Sequence, residues 1–401
     1  LVGAASDNER PRRQSRRGLL VGAASDALAC RFAAVNEFKP GLEGVVAFQT
    51  QIAEPDREGG ALRYRGVDIE ELVGQYHYEQ VWGLLVDESF EPGMPDPEPY
   101  EPKHLSGNAP SDLQAETARL SSEWSLQKLV DISPEEVRDD LARLSPEMIA
   151  IVAESARVAD GHTDRVPEAI VAQGETAAEK FLLRWRGEAD PTHVKAIDTY
   201  WICTAEHGLN ASTFTARIVA STGADTGAAM SAAVGALSGP LHGGAPARVL
   251  PMLDEVARTS DPEGYVKGLL ERHERIMGFG HRVYRAEDPR ARLLRRTAQE
   301  LGSPRFEVAE ELERVALKAL REYKPDRPLE TNVEFWSAVV LDVAQIPHDL
   351  TPAMFACARV AGWSAHILEE KRTGRLIRPA AQYVGPAARP ASAVDGAPVP
   401  T

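Results

Sequence analysis

The sequence has only three cysteines in 401 residues, Cys30, Cys203 and Cys357. They are far apart and odd in number, so they offer neither a disulfide framework nor a CxxC metal signature, and they fit a reducing, cytoplasmic setting. No unbroken apolar run reaches the roughly 18 residues that a membrane-spanning helix needs. Basic residues are outnumbered: 45 Lys and Arg against 60 Asp and Glu leave a formal net charge of -15, which repels polyanions and argues against nucleic acid as a partner. What remains is 43% hydrophobic and 26% charged, an ordinary globular balance that is too apolar for wholesale disorder. At 401 residues the chain exceeds the size one core usually serves, so two domains are expected.

Leu1–Asp7 (LVGAASD) recurs word for word as Leu20–Asp26, a repeat too short to be a folding unit. Arg12, Arg13, Arg16 and Arg17 precede Leu19–Ala29 in the manner of an export signal, yet Asp26 and Arg31 interrupt what should be a uniformly apolar stretch, so residues 1–36 read as a frayed tail or a misplaced start. Short β-prone runs at Val45–Ile52 and Ala61–Val67, joined by the Pro- and Gly-bearing Glu54–Gly60, predict a hairpin. Ile69–Glu88 and nearly everything after Asp112 show helical spacing, so the fold class is mainly α. Glu91–Pro110 holds six of the 28 prolines and predicts a long surface excursion, and Gly385–Thr401 predicts a loose tail.

Three histidines stand beside glycine: His207 in EHGLNAST, His242 in SGPLHGGAP and His281 in MGFGHRVYRAEDPRAR. Glycine allows a ligand close approach to the backbone, which suits a site better than a packed core, although any one of the three alone reads as a structural histidine. Their separations, 35 residues from 207 to 242 and 39 from 242 to 281, do not match zinc motifs, in which two ligands sit three to five residues apart, so no metal is expected. No GxSxG elbow occurs to support a serine hydrolase.

Within the acidic chain, Arg272–Arg296 inverts the charge, with eight arginines against Glu274, Glu287 and Asp288, a local balance of +5. A solvated helix explains Arg292, Arg295 and Arg296. Met277–His281, with two glycines, reads as a loop. His281, Arg282, Arg285 and Arg290 on such a loop, joined by Arg359 and Arg378, offer guanidinium forks to a small polyanion. Glu334 follows a plausible N-cap, Asn332, which places it in a first helical turn where the dipole favours ionisation. There it is either a favourable helix start or, given the histidines, a base.

These blocks together resemble the citrate synthase family. EHGLNASTFTAR, SGPLHGGAP, MGFGHRVYRAEDPR, TNVEFW and ARVAGWSAHILEEKRTGRLIRPAAQYVGP match its site blocks in order, over about Gly41–Gly385, and the chain most resembles the bacterial branch called citrate synthase 2. The resemblance implies a helical homodimer. It divides the chain into a large domain over 37–245 and 352–386, a small one over 246–351 and a flexible tail over 387–401. It implies condensation of acetyl coenzyme A with oxaloacetate, without metal or tightly bound cofactor. His242 would then stabilise the enol of acetyl coenzyme A and His281 polarise the oxaloacetate carbonyl. His207, Arg290 and Arg359 would bind oxaloacetate, with Arg378 reaching in from the other subunit. Ile276, Met277, Gly278, Phe279 and Gly280 would cradle the adenine, and Arg285 would bind a coenzyme A phosphate.

Two departures stand out. Glu334 replaces the aspartate that the family uses as base, and Trp124–Ala150 lacks the family's PMD-containing helix. Two rival readings therefore stand beside citrate synthesis: 2-methylcitrate synthesis from propionyl coenzyme A, and a ligand-binding paralogue without turnover.

Overall fold

The computed structural model describes residues 38–42, 44–56, 60–243, 248–280, 287–326 and 329–395. Residues 1–36, which carry the repeat and the basic stretch, lie outside it. The chain divides after Gln49. Ahead of that point the described residues hold a single 3-10 turn, Pro40–Leu42.

From Thr50 onward a small antiparallel sheet comes first, with β1 (Ala53–Pro55), β2 (Leu62–Tyr64) and β3 (Val67–Asp68) in that order. The hairpin is present but shifted: Ala53 pairs with Tyr64 and Pro55 with Leu62. Of the expected first strand, Val45–Ile52, the part at 45–49 is mostly exposed, whereas Ile52, like Leu62 and Tyr64, is fully buried. Register follows the residues with a face to bury, and β propensity alone does not supply one.

The remainder is helical. The helices are α1 (Ile69–Leu72), α2 (Tyr78–Asp87), α3 (Ala109–Glu123), α4 (Pro134–Ala159), α5 (Glu168–Val171), α6 (Ala177–Arg186), α7 (Pro191–Thr204), α8 (Ala211–Ser221) and α9 (Thr226–Leu237). They continue with α10 (Val249–Thr259), α11 (Pro262–Glu271), α12 (Pro289–Glu300), α13 (Phe306–Tyr323), α14 (Val333–Val343) and α15 (Thr351–Thr373). Caps set many of the boundaries. Ser133 and Glu136 form a capping box ahead of α4, and Asp190 caps α7 with Pro191 at its first position. Among the described residues no helix is long and apolar enough to cross a membrane.

A helix does occupy the region where the family's PMD block was missed. α4 runs through Pro146, whose absent N–H removes one helical bond, while the Ser145 hydroxyl donates to the Leu141 carbonyl at 2.7 Å. Different residues there build the same kind of element, because Met148, Ile149, Ile151 and Val152 bury an apolar face. The Glu91–Pro110 excursion is likewise more anchored than expected. Met94 is buried, and its N–H donates to the Glu79 carbonyl at 2.9 Å. The segment ends where Asn108 caps α3.

α15 organises the core. It is buried almost all round, as a central helix must be, and it packs on α2, α4, α7, α8 and α9. The indoles of Trp82, Trp336 and Trp363 are fully buried, and their N–H groups donate to Ser145, Glu313 and Ser212 respectively. Each ring contributes a large apolar area without leaving its polar edge unsatisfied. α10 to α14 pack among themselves, and α12 and α14 also pack on α7. α7 thus joins the helices that carry Glu334 and Arg290 to those that carry Arg359.

Candidate active site

The chain leaves α7 at Thr204 and reaches α8 through Ala205–Asn210, a link whose direction is set by two local devices. Gly208 takes φ +86°, a left-handed conformation that suits glycine. The Asn210 side chain caps α8 by accepting from the N–H groups of Ser212 and Thr213, each at 3.1 Å. His207, half-buried, lies in this link.

Ser212 is the meeting point for a second expected residue. His242 sits in the turn after α9, with its N–H on the Gly239 carbonyl at 2.9 Å. Its Nε2 lies 2.9 Å from the Ser212 hydroxyl, and the Ser212 backbone N–H points at the same nitrogen at 3.4 Å. A backbone N–H can only donate, so Nε2 is the lone-pair nitrogen and the proton of the neutral ring is on Nδ1. Burial, reinforced by the charge of Arg359, pushes the His242 pKa down to about 4. His242 is therefore a neutral donor near pH 7, a form able to hydrogen-bond a developing oxyanion without first surrendering a charge.

Arg359, on α15, is fully buried. Its Nε donates to the Thr204 carbonyl at 3.0 Å, and its guanidinium lies over the Phe355 ring at 4.7 Å. Among the described residues neither Nη1 nor Nη2 has a hydrogen-bond partner. Two buried donors without acceptors are costly unless an incoming group satisfies them. Burial lowers the Arg359 pKa, Glu206 opposes that shift and Arg290 adds to it. The two guanidinium groups thus share one electrostatic neighbourhood.

Arg290 is held by Asp288. The carboxylate caps α12, accepts from the Arg290 backbone N–H at 3.1 Å, and clamps the guanidinium through Nε at 2.9 Å and Nη2 at 2.8 Å. It also accepts from the N–H of Val333 at 3.1 Å, which ties the clamp to the start of α14. Asn332 caps α14, as its sequence context predicts, by accepting from the Glu334 N–H at 3.0 Å. Glu334 stands in the first turn, largely buried. Burial pushes its pKa up to about 7, with Arg290 lowering and Asp288 raising it. Fully buried Tyr200 feels both Arg359 and Glu334, although burial dominates the upward shift of its phenol. Electrostatically, His242 is coupled to Arg359, Arg359 to Arg290, and Arg290 to Glu334.

The loop expected at 276–280 is present and is tied to α14. Gly280 N–H donates to the Glu330 carbonyl at 2.7 Å, Asn332 N–H to Gly278 at 2.9 Å and Asn332 Nδ2 to Gly280 at 2.9 Å. Ile276 is buried, Met277 and Phe279 half-buried, and the Phe279 ring packs on Phe335 at 5.3 Å. Gly278 has φ +83°, and a Cβ there would lie 2.7 Å from the Phe335 Cβ. Gly278→Ala is accordingly expected to cost about 2 kcal/mol, from the unfavourable φ and the overpacking together, read by thermal or denaturant unfolding. Gly302→Ala is the control, because Gly302 has a similar φ of +66° with nothing within 4 Å of its Cβ position. Equal losses in the two variants would remove the packing argument.

Not every expected residue is gathered in. Arg378 is exposed, in the extended segment after α15, and among the described residues it has no hydrogen bond or ion pair. His281, Arg282 and Arg285 lie outside the described residues. Conversely, sequence reasoning missed Glu206, Ser212 and Asp288 as parts of the site. The Asp288–Pro289 pair does carry a local signal, an acidic N-cap followed by proline at the first helical position. Asn210 ahead of Ala211–Ser212 carries another.

Comparison with known proteins matches this architecture. The family model described as "Citrate synthase, C-terminal domain" matches residues 41–380. A Mycobacterium tuberculosis protein named "Putative citrate synthase 2" is 58% identical over 360 residues, covering 90% of this chain and 96% of its own. A Synechocystis citrate synthase is 34% identical over 87% of this chain and 91% of its own. Among solved structures, the citrate synthase of the archaeon Thermoplasma acidophilum, in ternary complex with carboxymethyl coenzyme A and oxaloacetate, superposes with a TM-score of 0.75 at 27% identity, covering 88% of this chain and 98% of that one. Citrate synthase from Pyrobaculum aerophilum gives 0.73 at 30% identity, covering 88% and 94%.

Proposed function

Since the chain belongs to the citrate synthase family, whose members transfer an acyl group, we propose that it condenses acetyl coenzyme A with oxaloacetate and water to give citrate and coenzyme A. The observation that carries this reading is Glu334: a carboxyl with pKa near 7, beside Arg290, at the head of a helix bonded to the 276–280 loop.

In this reading the Glu334 carboxylate removes a proton from the thioester methyl, and a base of pKa near the working pH is best matched to that task. His242 donates from Nδ1 to the thioester oxygen as negative charge builds there, which a preorganised donor stabilises by several kcal/mol. The unpartnered Nη groups of Arg359, together with Arg290 and His207, receive the carboxylates of oxaloacetate, and His281 polarises its carbonyl. The enol carbon attacks that carbonyl, and water then cleaves the citryl thioester. Residues 276–280 and Arg285 hold the coenzyme A. Residues 246–351 act as the small domain that closes over both substrates. Arg378, exposed on its own chain, completes the site of a second copy in a homodimer.

Glutamate in place of aspartate moves the carboxylate by about one carbon–carbon bond, and a misplacement of about 1 Å can cost a hundredfold. The loop and the Asp288 clamp together set where the start of α14 lies, and so where that longer side chain reaches. The test is release of free thiol from acetyl coenzyme A by purified protein. Release is expected only when oxaloacetate is present, and faster than from propionyl coenzyme A. Equal or faster release from the propionyl thioester would transfer the assignment to 2-methylcitrate synthesis. Oxaloacetate binding without release from either would leave a ligand-binding paralogue.

A further inference from the structure

Arg359, Gly362 and His366 stand at i, i+3 and i+7 on α15, a single face of the helix, and that face is laid against Thr204–Gly208. Arg359 Nε meets the Thr204 carbonyl. The Gly362 α-carbon lies so near the Glu206 Oε2 and the Ala205 carbonyl that a Cβ would collide with both. His366 Nε2 lies 3.2 Å from Glu206 Oε1.

The state of Glu206 follows from its neighbours. Arg217 Nη1 lies 3.0 Å from His366 Nδ1, and a guanidinium can only donate, so Nδ1 accepts and the imidazole proton is on Nε2, aimed at Glu206. Glu206 Oε1 thus receives His366 Nε2–H and the Gly208 N–H, the latter at 2.5 Å. Oε2 is buried and, among the described residues, without a hydrogen-bond partner. Burial would raise the Glu206 pKa, but His366, Arg359 and Gly208 outweigh it, so the carboxyl remains ionised. One fully buried anion with a bare oxygen therefore lies on the same helix face as one fully buried cation with two bare nitrogens, the two forming no direct contact.

We propose that Glu206 is the counter-ion of the empty site: it touches no substrate, balances Arg359 through space, and is superseded when a substrate carboxylate docks on Nη1 and Nη2. The proposal rests on the reading that Arg359 receives oxaloacetate. Its consequence runs against the usual effect of damaging a site. A negative charge that stabilises the empty protein also opposes the incoming dianion, so its removal weakens the empty protein and tightens binding.

Glu206→Gln tests this cleanly, because the amide oxygen can still accept from His366 and Gly208 while the charge is gone. Isothermal titration with oxaloacetate is expected to give a Kd about tenfold lower than that of the unmodified protein, and the thermal transition without ligand is expected to fall by several degrees while the oxaloacetate-saturated transition falls less. A Kd unchanged or raised, or equal losses with and without ligand, overturns the proposal, since a purely structural role lowers both transitions alike. If E206Q does not fold, the double variant Glu206→Gln/Arg359→Met decides the matter. With both charges removed it is expected to be recovered folded, and its failure to fold overturns the proposal. Absence of any oxaloacetate heat with the unmodified protein sinks the substrate reading and the replacement step together, whereas heat there without a gain in E206Q sinks this proposal alone.

Discussion

Glu334→Gln is expected to lower kcat for oxaloacetate-dependent release of coenzyme A by about 10³-fold, within the range usual for loss of a general base, while oxaloacetate affinity stays within about twofold. The amide keeps the size and the cap geometry of Glu334 and loses only the capacity to take a proton. The pH profile sharpens the expectation. In the proposed role Glu334 acts when ionised, and burial holds its pKa at about 7. In the unmodified enzyme, kcat/KM should therefore fall roughly tenfold per unit below that pH, and Glu334→Asp should retain a limb of this kind at a lower plateau. A loss in E334Q of less than about tenfold would remove Glu334 from the role.

The same burial has a consequence for stability. A carboxyl whose pKa in the folded chain is about 7, against an ordinary value of 4.5, favours the fold while it is protonated in both states. That contribution is complete below about pH 4.5 and is lost as the pH rises through 7. Glutamine never ionises, so E334Q should match the unmodified protein near pH 4.5 and exceed it by about 2–3 kcal/mol at pH 8. Activity lost and stability gained at one position, with the gain confined to neutral and alkaline pH, is the signature of a strained base; a structural carboxylate at a helix start would lose stability on the same change.

The local parts of this site were legible in the sequence, and the reason is visible residue by residue. Asn332 announces α14 and Glu334 its first turn, because a cap acts over two or three residues and needs no tertiary information. The 276–280 loop announces itself by Gly278 and Gly280, which take the left-handed conformations that glycine permits. The mainly α fold followed from periodicity in the same way. The β1–β2 register did not: Val45–Gln49 has the higher β propensity, yet Ala53–Pro55, with its Glu and Pro, is the strand that pairs with the buried Leu62 and Tyr64, an outcome that packing decides. Glu206 and Ser212 were equally hidden. Their partners, His366, His242 and Trp363, are 30 to 160 positions away, and nothing in their own neighbourhoods marks a buried anion or a hydroxyl that receives an indole N–H. The charge inversion at Arg272–Arg296 was visible as a patch, yet the sequence did not separate Arg290, clamped and buried, from Arg292, which is exposed and paired with Glu70 and Glu287.

Asp288→Asn should be the most damaging single change outside the groups proposed to meet substrate. Both oxygens are engaged: Oδ1 accepts from the Arg290 N–H and Nε, and Oδ2 from Arg290 Nη2 and the Val333 N–H. An amide in either orientation turns its NH2 toward two donors, so the isosteric replacement loses two bonds and adds a repulsion while leaving the Arg290 charge buried without its clamp. The expected destabilisation is about 3–5 kcal/mol, a large share of the 5–15 kcal/mol that holds a typical protein folded. Because the Val333 N–H opens α14, the start of that helix should also shift, and a displacement of Glu334 by about 1 Å would reduce kcat about a hundredfold. The pH profile separates this from simple unfolding. Asp288 raises the Glu334 pKa, so removal of its charge should move the acid limb of kcat/KM below pH 7 in whatever fraction remains folded. Reduced activity with an unmoved limb would mean that Asp288 supports the fold without tuning the base.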